Sequence, residues 1–156
     1  MIERPVRRSD RMISAEDAIA VLKAADYGVL STVNPDGSPY GVPLGYVYLH
    51  DALYFHCAHE GHKIDNINQN PEVCFCAVSQ AIPLSEKFSM RYASATVFGM
   101  AEAVTDDDEK RAALVAIIEK YSPDHIPAGI DYINRDMNTT LVVKITIQKI
   151  SGKSRK

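Results

Sequence analysis

Two short turns link the first three strand-like segments of the sequence, and they restrict the fold more than any other feature. Residues 34–37 read Asn-Pro-Asp-Gly, a tight-turn sequence, and His50 and Asp51 turn the chain again. Because parallel neighbours need a crossover of about a dozen or more residues, turns this short predict antiparallel pairing. A meander of strands is therefore expected over 28–34, 38–49 and 52–58.

The rest of the sequence alternates between helical and extended patterns. Helices are predicted over 14–28, 61–70 and 105–122, and further strands over 72–79, 91–105 and around 143–147. Segments 80–89 and 124–138 have little periodicity and are expected to be loops. Together the patterns predict an α+β fold, a small and mainly antiparallel six-stranded barrel with flanking helices.

Length and composition limit the class of protein. The 156 residues suffice for one ordinary domain, predicted over 1–156, and 17 Lys and Arg against 20 Asp and Glu give no overall basic surface for nucleic acid. No segment approaches the roughly 20 apolar residues of a membrane helix, and the charged start lacks the apolar core of a secretory signal. A cytoplasmic protein without a membrane or nucleic-acid partner is expected.

The cysteines and the terminal basic residues have ordinary explanations. Cys57, Cys74 and Cys76 are odd in number and lie in apolar runs, so reduced and buried thiols are expected. Basic residues gather at both ends of the chain: Arg4, Arg7, Arg8, Arg11, Lys149, Lys153, Arg155 and Lys156. Solvated tails are favoured for most of these, and contact with a phosphate is the alternative.

The segment 54–66 carries the most chemical information. It reads as a strand that leads into a short helix, with His62 and Lys63 in the first helical turn. Unpaired amides at a helix N-terminus carry partial positive charge, so this turn suits a phosphate. An ordinary solvated lysine is the competing interpretation, and these residues alone favour it.

His56 is the second candidate in this segment. It shares one face of the predicted strand with Tyr54, among apolar neighbours. Such a histidine is more often a satisfied core residue; the alternative is a hydrogen-bond donor or proton carrier beside a ligand. His56, His59 and His62 recur every three residues, but they span a strand and a helix start and no acidic cluster joins them. A metal site is therefore disfavoured.

Common catalytic motifs are missing from the sequence. No Gly-x-Gly-x-x-Gly follows a strand, and neither a Walker sequence nor a Gly-x-Ser-x-Gly elbow is present. The chain thus offers no strong catalytic motif of its own. Chemistry carried out by a bound cofactor is the alternative to catalysis by the protein's own side chains.

Eight segments, in order along nearly the whole chain, resemble one superfamily. They are 7–11, 27–33, 36–44, 54–58, 61–63, 70–75, 92–99 and 150–153. Among them, 36–44 reads Asp-Gly-Ser-Pro-Tyr-Gly-Val-Pro-Leu, 54–58 reads Tyr-Phe-His-Cys-Ala and 61–63 reads Gly-His-Lys. The sequence is similar to the FMN-binding split barrels of the pyridoxamine phosphate oxidase-like superfamily, and in particular to their nitroimidazole-resistance branch.

The resemblance implies a homodimer of split β-barrels with FMN in the groove between them. It matches His62 and Lys63 to the phosphate site, and it places a strand along the flavin. The matching residues of that strand are Val42, Pro43, Leu44, Gly45 and Tyr46. His56 and Cys57 lie beside it on the next strand, and Ser94 matches a polar residue that contacts the flavin.

The same resemblance suggests the chemistry. In the nitroimidazole-resistance branch the histidine of this strand lies near the substrate side of the flavin, which makes His56 the candidate catalytic residue. The oxidase branch has an Arg-rich signature where this chain has Gly-Val-Pro-Leu at 41–44, so pyridoxamine phosphate oxidation is disfavoured. FMN-dependent reduction of small electron-poor molecules such as nitroimidazoles is expected. The alternatives are a non-enzymatic module for flavin, haem or a deazaflavin, and a related oxidase.

Overall fold

The two short turns predicted from the sequence join antiparallel strands in the computed structural model, which describes residues 6–156. The Asn34 carbonyl accepts a hydrogen bond from the Gly37 amide at 2.8 Å, and Gly37 has a φ of +83° that favours glycine. His50 and Asp51 also have positive φ angles, 47° and 59°, as a two-residue hairpin turn with the twist of antiparallel strands requires. The two predicted hairpins are confirmed, but they lie at opposite ends of the sheet and do not form one continuous meander.

Four α-helices and eight strands make up the described residues, and the strands form one antiparallel sheet. The helices are α1 (Ala15–Ala24), α2 (His62–Gln69), α3 (Asp107–Tyr121) and α4 (Ile126–Asp136). The strands are β1 (Met12–Ile13), β2 (Gly28–Val33), β3 (Pro39–Leu44), β4 (Val47–Leu49), β5 (Ala52–Cys57), β6 (Glu72–Leu84), β7 (Ser89–Ala103) and β8 (Leu141–Arg155). Their order is β3-β2-β6-β7-β8-β5-β4, with β1 paired to β8. The α+β class is confirmed, and within residues 6–156 no ladder joins β3 to β4 to close the barrel.

The sheet has eight strands over the described residues, whereas six were predicted. The strand expected over 38–49 is divided between β3 and β4, because the main chain of Tyr46 bonds to α3 instead of to a neighbouring strand. The Tyr46 amide donates to Tyr121 Oη at 2.8 Å, and Lys120 Nζ donates to the Tyr46 carbonyl at 2.9 Å. The additional strand β1 has two residues, too few to produce a pattern.

The segment 80–89 is a hairpin, so its prediction as a loop was wrong. β6 continues to Leu84, a short 3-10 turn follows, and β7 begins at Ser89. A bulge between Val78 and Gln80 shifts the register of β6 against β7. The extra residue interrupts the alternation of side chains, which removes the period-two signal from the sequence.

The segment 124–138 contains α4, so its prediction as a loop was also wrong. The helix has Pro127 in its first turn, a position where the missing amide hydrogen costs nothing. Ile130 and Ile133 lie on its inner side and pack against a core, and Ile133 is buried. Gly129 and the polar residues around it weaken the helical pattern in the sequence.

The helix starts read from the sequence are nearly correct. The Ser14 hydroxyl accepts a hydrogen bond from the Asp17 amide at 3.0 Å, which confirms Ser14 as the N-cap of α1. For α3 the cap is Asp106, one residue after the predicted Thr105, and its carboxylate accepts from the Glu109 amide at 2.7 Å. Both helices therefore begin where side-chain oxygens satisfy unpaired amides.

Two apolar cores lie on opposite faces of the sheet, because neighbouring strand residues point in opposite directions. The larger core packs α1 and α2 against one face and includes Leu22, Leu30, Phe75, Ile64 and Ile67. The smaller packs α3 and α4 against β4, β5 and β8 and includes Tyr54, Leu114, Ile133 and Val142. Tyr54 Oη and Lys144 Nζ both donate to the Glu109 carboxylate, at 2.6 and 2.8 Å, which ties α3 to the sheet.

The cysteines and terminal charges differ slightly from expectation. Cys57, Cys74 and Cys76 are free thiols but half-buried, whereas full burial was expected. Of the basic residues near the N-terminus, Arg4 lies outside the described residues, and Arg8 forms an ion pair with Asp10 at 2.5 Å.

No helix among residues 6–156 has the length and apolar character needed to span a bilayer.

Candidate functional site

The start of α2 presents a lysine, a histidine and unpaired amides together, as the sequence predicted. Gly61 precedes the helix with a φ of +124°, and no side chain within the described residues caps its first turn. His62 and Lys63 are the first two helical residues. Lys63 is half-buried, and the ion pairs of residues 6–156 do not include it. This arrangement has the donors that an anion requires at a helix N-terminus.

A hydrogen-bond network fixes the orientation of His62. Asn66 is 1% exposed and donates through Nδ2 to Thr32 Oγ1 and Asn34 Oδ1, both at 2.9 Å. His62 Nε2 lies 2.5 Å from the same Asn34 oxygen. Because that oxygen accepts, Nε2 must carry a proton and donate. The Tyr40 ring stacks on the imidazole at 4.0 Å, so His62 is held on two sides.

Cys57 lies beside Lys63 at the end of β5. Burial raises the pKa of the Cys57 thiol above its ordinary value, and the positive charge of Lys63 partly opposes that effect. The raised pKa keeps the sulfur protonated at neutral pH, so Cys57 lacks the thiolate that a nucleophile needs. The structure thus brings the predicted site residues Cys57 and Lys63 together. Cys57 lines the site as a protonated thiol and not as a nucleophile.

His56, the preceding residue of β5, faces the other side of the sheet. Its ring is exposed in the single chain, and the same ring lines a cavity of about 140 Å³ between α3 and α4. The other lining residues are Leu114, Ile117, Ile118, Tyr132, Ile133, Asp136, Met137 and Thr140. Partial burial lowers the pKa of His56 below its ordinary value, which favours a neutral imidazole at neutral pH. His56 is therefore not a hydrogen-bonded core histidine.

A second cavity, of about 380 Å³, joins His56 to the end of β3. Leu44 and Gly45 line it together with His56, and its helical wall is formed by Ile117, Ile118, Tyr121 and Ser122. Three residues predicted from two different strands are thus brought to one place. His56, Ile117 and Ile118 line both cavities, so the two are neighbours along α3.

Two side chains of α3 hold the main chain at Gly45 and Tyr46. Lys120 Nζ donates to the carbonyls of Ala25 and Tyr46, and Tyr121 Oη donates to the carbonyl of Asp26. The Lys120 ammonium also lies 4.2 Å from the centre of the Tyr46 ring. Burial lowers the pKa of Lys120, and the nearby Asp26 opposes that shift. These contacts fix the bend between β3 and β4 beside the second cavity.

The remaining predicted residues lie elsewhere on the sheet. Tyr46 is fully buried and its hydroxyl donates to the Leu22 carbonyl at 2.7 Å, so its ring belongs to the core. Val42 packs partly against the same core, whereas Pro43 is exposed on the opposite face. Ser94 pairs with Lys153 across β7 and β8, is half-buried, and lines neither cavity that contains His56.

The histidine series 56, 59 and 62 does not gather at one point. Residues 6–156 contain no group of three or more His, Cys, Asp or Glu side chains arranged to hold a metal ion. His56 faces the α3 side of the sheet, and His62 bonds to Asn34 at the start of α2. The spacing in the sequence therefore reflects a strand followed by a helix.

One family model describes nearly all of this chain. The model for pyridoxamine 5'-phosphate oxidase matches residues 14–154. The chain belongs to the pyridoxamine 5'-phosphate oxidase family. No curated protein sequence matched it.

Several solved structures are similar to this chain over most of its length. A candidate 5-nitroimidazole antibiotic resistance protein from Bacteroides thetaiotaomicron is 28% identical, with a TM-score of 0.76 over 91% of this chain and 85% of that one. A FAD-binding protein from Mesorhizobium loti is 25% identical, with a TM-score of 0.65 over 94% and 98%. A flavocytochrome from Azotobacter vinelandii is 18% identical, with a TM-score of 0.76 over 97% and 72%, which shows the shared fold alone. The resemblance stated from the sequence is confirmed.

The part of the chain that covers His56 was not predicted from the sequence. Tyr132, Ile133 and Asp136 come from α4, and Met137 follows it directly, all within the segment predicted as a loop. Pro127 ahead of apolar residues three apart was the signal that could have located the helix. The missed helix supplies three of the nine lining residues of the smaller cavity, and Met137 directly after it supplies a fourth.

Proposed function

We propose that this chain binds FMN and uses it to reduce small electron-poor molecules such as nitroimidazoles. One observation carries the proposal: adjacent residues of β5 lead to two complementary sites. Cys57 faces Lys63 and the anion-type start of α2, while His56 faces a mainly apolar cavity. A ligand with a phosphate at one end and a planar reactive ring at the other suits this pairing. FMN is such a ligand.

The donor set at α2 fits the phosphate of FMN. A phosphate carries up to two negative charges, and a half-buried lysine with free helix amides would satisfy it in a way that water-exposed lysines would not. His62 adds a ring held in position by Asn34 and Tyr40. We assign His62 and Lys63 to phosphate binding.

The strand β3 and its bend would lie along the flavin ring. Val42, Pro43 and Leu44 end the strand, and Lys120 and Tyr121 hold the main chain at Gly45 and Tyr46. Tyr46 would contribute main chain only, because its side chain is in the core. Ser94 lies apart from His56 in the single chain, so its contact with the flavin would require the second protomer of a dimer.

The bound flavin would supply the transfer of electrons or hydride, and the protein would supply binding, orientation and a hydrogen-bond donor. His56 is placed to donate an N–H to a substrate in the adjoining cavity. The aliphatic wall from α3 would exclude water from that place. A relative named for 5-nitroimidazole resistance and another named as FAD-binding support this assignment.

We also propose a homodimer, because the outer face of β2, β3 and β6 carries apolar side chains in solvent. Val29 is 38% exposed and Val78 is 49% exposed. Pro43 and Cys76 flank Val29 on the same face, since they are its partners in β3 and β6. Stable dimers bury apolar surfaces of this kind. Light scattering that gives the mass of one chain with flavin bound would contradict this arrangement.

The reductase proposal is tested with flavin reduced on the protein itself. FMN bound to the purified full chain is photoreduced without oxygen and mixed with a 5-nitroimidazole, and flavin re-oxidation is followed by its absorbance. Faster re-oxidation than that of free reduced FMN is expected. A protein that binds no FMN, or that gives no acceleration, contradicts the proposal. Because the flavin is reduced beforehand, the result does not depend on the natural electron donor.

Haem binding without catalysis is the second candidate. His56 and Met137 line the same cavity, and this residue pair ligates haem in some cytochromes. The cavity of about 140 Å³ is smaller than the roughly 300 Å³ at which pockets for larger ligands begin, so it would have to open. A Soret band in the purified protein, with no flavin spectrum, would favour this candidate over FMN.

A further inference from the structure

We infer that the cavity between α3 and α4 is a binding pocket for one small, uncharged aromatic ring, and that α4 sets its size. This inference rests on the proposed function, because it places the substrate of the reductase. It goes further by naming the part of the chain that selects the substrate. The pocket is the 140 Å³ cavity that His56 lines.

The walls of the pocket are chiefly aliphatic. Leu114, Ile117 and Ile118 form the side that belongs to α3, while Ile133 and Met137 form the opposite side. Leu114 and Ile133 are buried at 8% and 3% exposure, so these parts of the wall are rigidly packed. Aliphatic walls around a small volume favour a flat apolar molecule. A nitroaromatic ring has this shape.

The polar groups at the pocket disfavour an anion. Asp136 is one of the lining residues, and its carboxylate pairs at 3.0 Å with Arg135, whose side chain is 67% exposed. The Thr140 hydroxyl is directed to the Asp136 carbonyl at 3.0 Å. His56 favours the neutral form at neutral pH because partial burial lowers its pKa. No lysine or arginine is among the nine lining residues, so a negatively charged ligand would find no cation in the pocket to pair with.

The width of the pocket is set where α4 touches α3. A side-chain carbon added at Gly129 would lie 2.6 Å from Ile118 Cγ2, much closer than two carbons can approach. Ile118 is one of the lining residues. Glycine at 129 therefore allows α4 to lie against α3, and any larger residue must move either α4 or the Ile118 side chain.

The binding test uses nitrobenzene as the probe and 4-nitrobenzoate as its charged analogue. Methyl-labelled methionine gives a direct readout, because Met137 lines the pocket while Met12 and Met90 are exposed elsewhere. Nitrobenzene is expected to shift the Met137 methyl resonance and leave Met12 and Met90 unchanged. By calorimetry, 4-nitrobenzoate is expected to bind about tenfold more weakly, and Asp136→Asn should narrow that difference.

Variants at the contact between the helices test the role of α4. Ile118→Ala removes part of the pocket wall, so the affinity for nitrobenzene is expected to fall about tenfold. Gly129→Ala should also lower the affinity for nitrobenzene. The double variant should recover part of this lost affinity, because the new methyl group at 129 meets alanine instead of isoleucine at 118. Ala128→Ser, at the exposed neighbouring position, is the matched control and should bind like the original protein.

The outcomes separate this inference from the proposed function. A Met137 resonance that does not respond to nitrobenzene, or an Ile118→Ala variant with unchanged affinity, overturns the inference even if nitroimidazole reduction proceeds. Probe binding at Met137 in flavin-free protein supports the pocket even if FMN reduction fails. Equal affinity for nitrobenzene and 4-nitrobenzoate would overturn the preference for an uncharged ring. Melting curves of each variant exclude unfolding as the cause.

Discussion

Two neighbouring residues of β5 open onto regions built in opposite ways. Beyond Cys57, the start of α2 is polar, and hydrogen bonds of Asn34 and Asn66 and a ring contact with Tyr40 hold His62 and its surroundings in place. Beyond His56, the cavity under α4 is lined mainly by aliphatic side chains, and packing holds its walls. One strand end thus connects a site fixed by hydrogen bonds with a site fixed by shape.

The difference matches two tasks that a flavoenzyme has to perform. The phosphate of a cofactor is always the same group, so fixed donors at a helix start can serve every turnover. A substrate ring is recognised mainly by volume and by exclusion of water, which aliphatic walls provide. Changes at α2 should therefore alter cofactor affinity, and changes around His56 should alter turnover.

The largest expected effect is on cofactor affinity at α2. Lys63→Glu removes a charge-assisted hydrogen bond and adds repulsion, together worth about 3 to 4 kcal/mol, or several hundredfold in the Kd of FMN. Riboflavin lacks the phosphate, so its affinity should change little. Fluorescence titration of both flavins measures the ratio. Lys87→Glu, an exposed residue of the β6–β7 hairpin, is the control, and equal loss of both flavins would show that Lys63 acts elsewhere.

The next largest effect is on turnover at His56. His56 favours the neutral form, so its N–H acts as a hydrogen-bond donor. Loss of one donor aimed at developing negative charge costs about a hundredfold, so His56→Ala should lower nitroimidazole reduction by roughly that factor per bound FMN. The flavin should remain bound, because His56 faces away from the α2 site. Turnover normalised to bound flavin, measured beside a melting curve, checks both points. Unchanged normalised turnover would contradict a catalytic role for His56.

The polar region could be predicted from the sequence because its signals are local. Gly61, His62 and Lys63 are adjacent, and a helix start shows in a few consecutive residues. The network behind His62 could not be predicted, since Asn34 and Asn66 are 32 positions apart and meet only through tertiary packing. The hairpin turns were predictable for the same local reason as the helix start.

The apolar region was less predictable because its parts are distant in the chain. His56 was singled out on its strand, but its neighbours come from α3 and from α4, and the sequence around Gly129 lacks a clear helical pattern. The division of the predicted strand 38–49 also depended on a distant contact, the bonds of Lys120 and Tyr121 to Tyr46. Tertiary contacts of this kind override local patterns.

A smaller effect is expected from the network that orients His62. Asn66→Ala leaves Thr32 Oγ1 and Asn34 Oδ1 without their buried donor and should cost about 1 to 3 kcal/mol of stability. With Asn34 released, His62 loses its fixed orientation, and the preference for FMN over riboflavin should fall by up to about tenfold. Asn68→Ala, on the exposed side of the same helix, is the control. Lower stability with an unchanged flavin preference would limit Asn66 to a structural role.

The smallest effect is on the pH dependence of stability, and it isolates the surroundings of His56. Partial burial lowers the pKa of His56 below its ordinary value of 6.5. Between that lowered pKa and 6.5, the unfolded chain binds a proton at this residue that the folded chain does not. The free energy of unfolding therefore falls as pH falls through this window, and it is fully restored above it.

His56→Gln removes the titrating group, so the melting temperature of the original protein should decline more steeply towards acid than that of the variant. Because the ring is partly exposed, a difference of only about one degree is expected between pH 7 and pH 5. If the melting temperatures of the two flavin-free proteins depend on pH in the same way, the burial of His56 beside α3 and α4 is contradicted. A steeper decline for the variant would mean that the His56 pKa is raised instead of lowered.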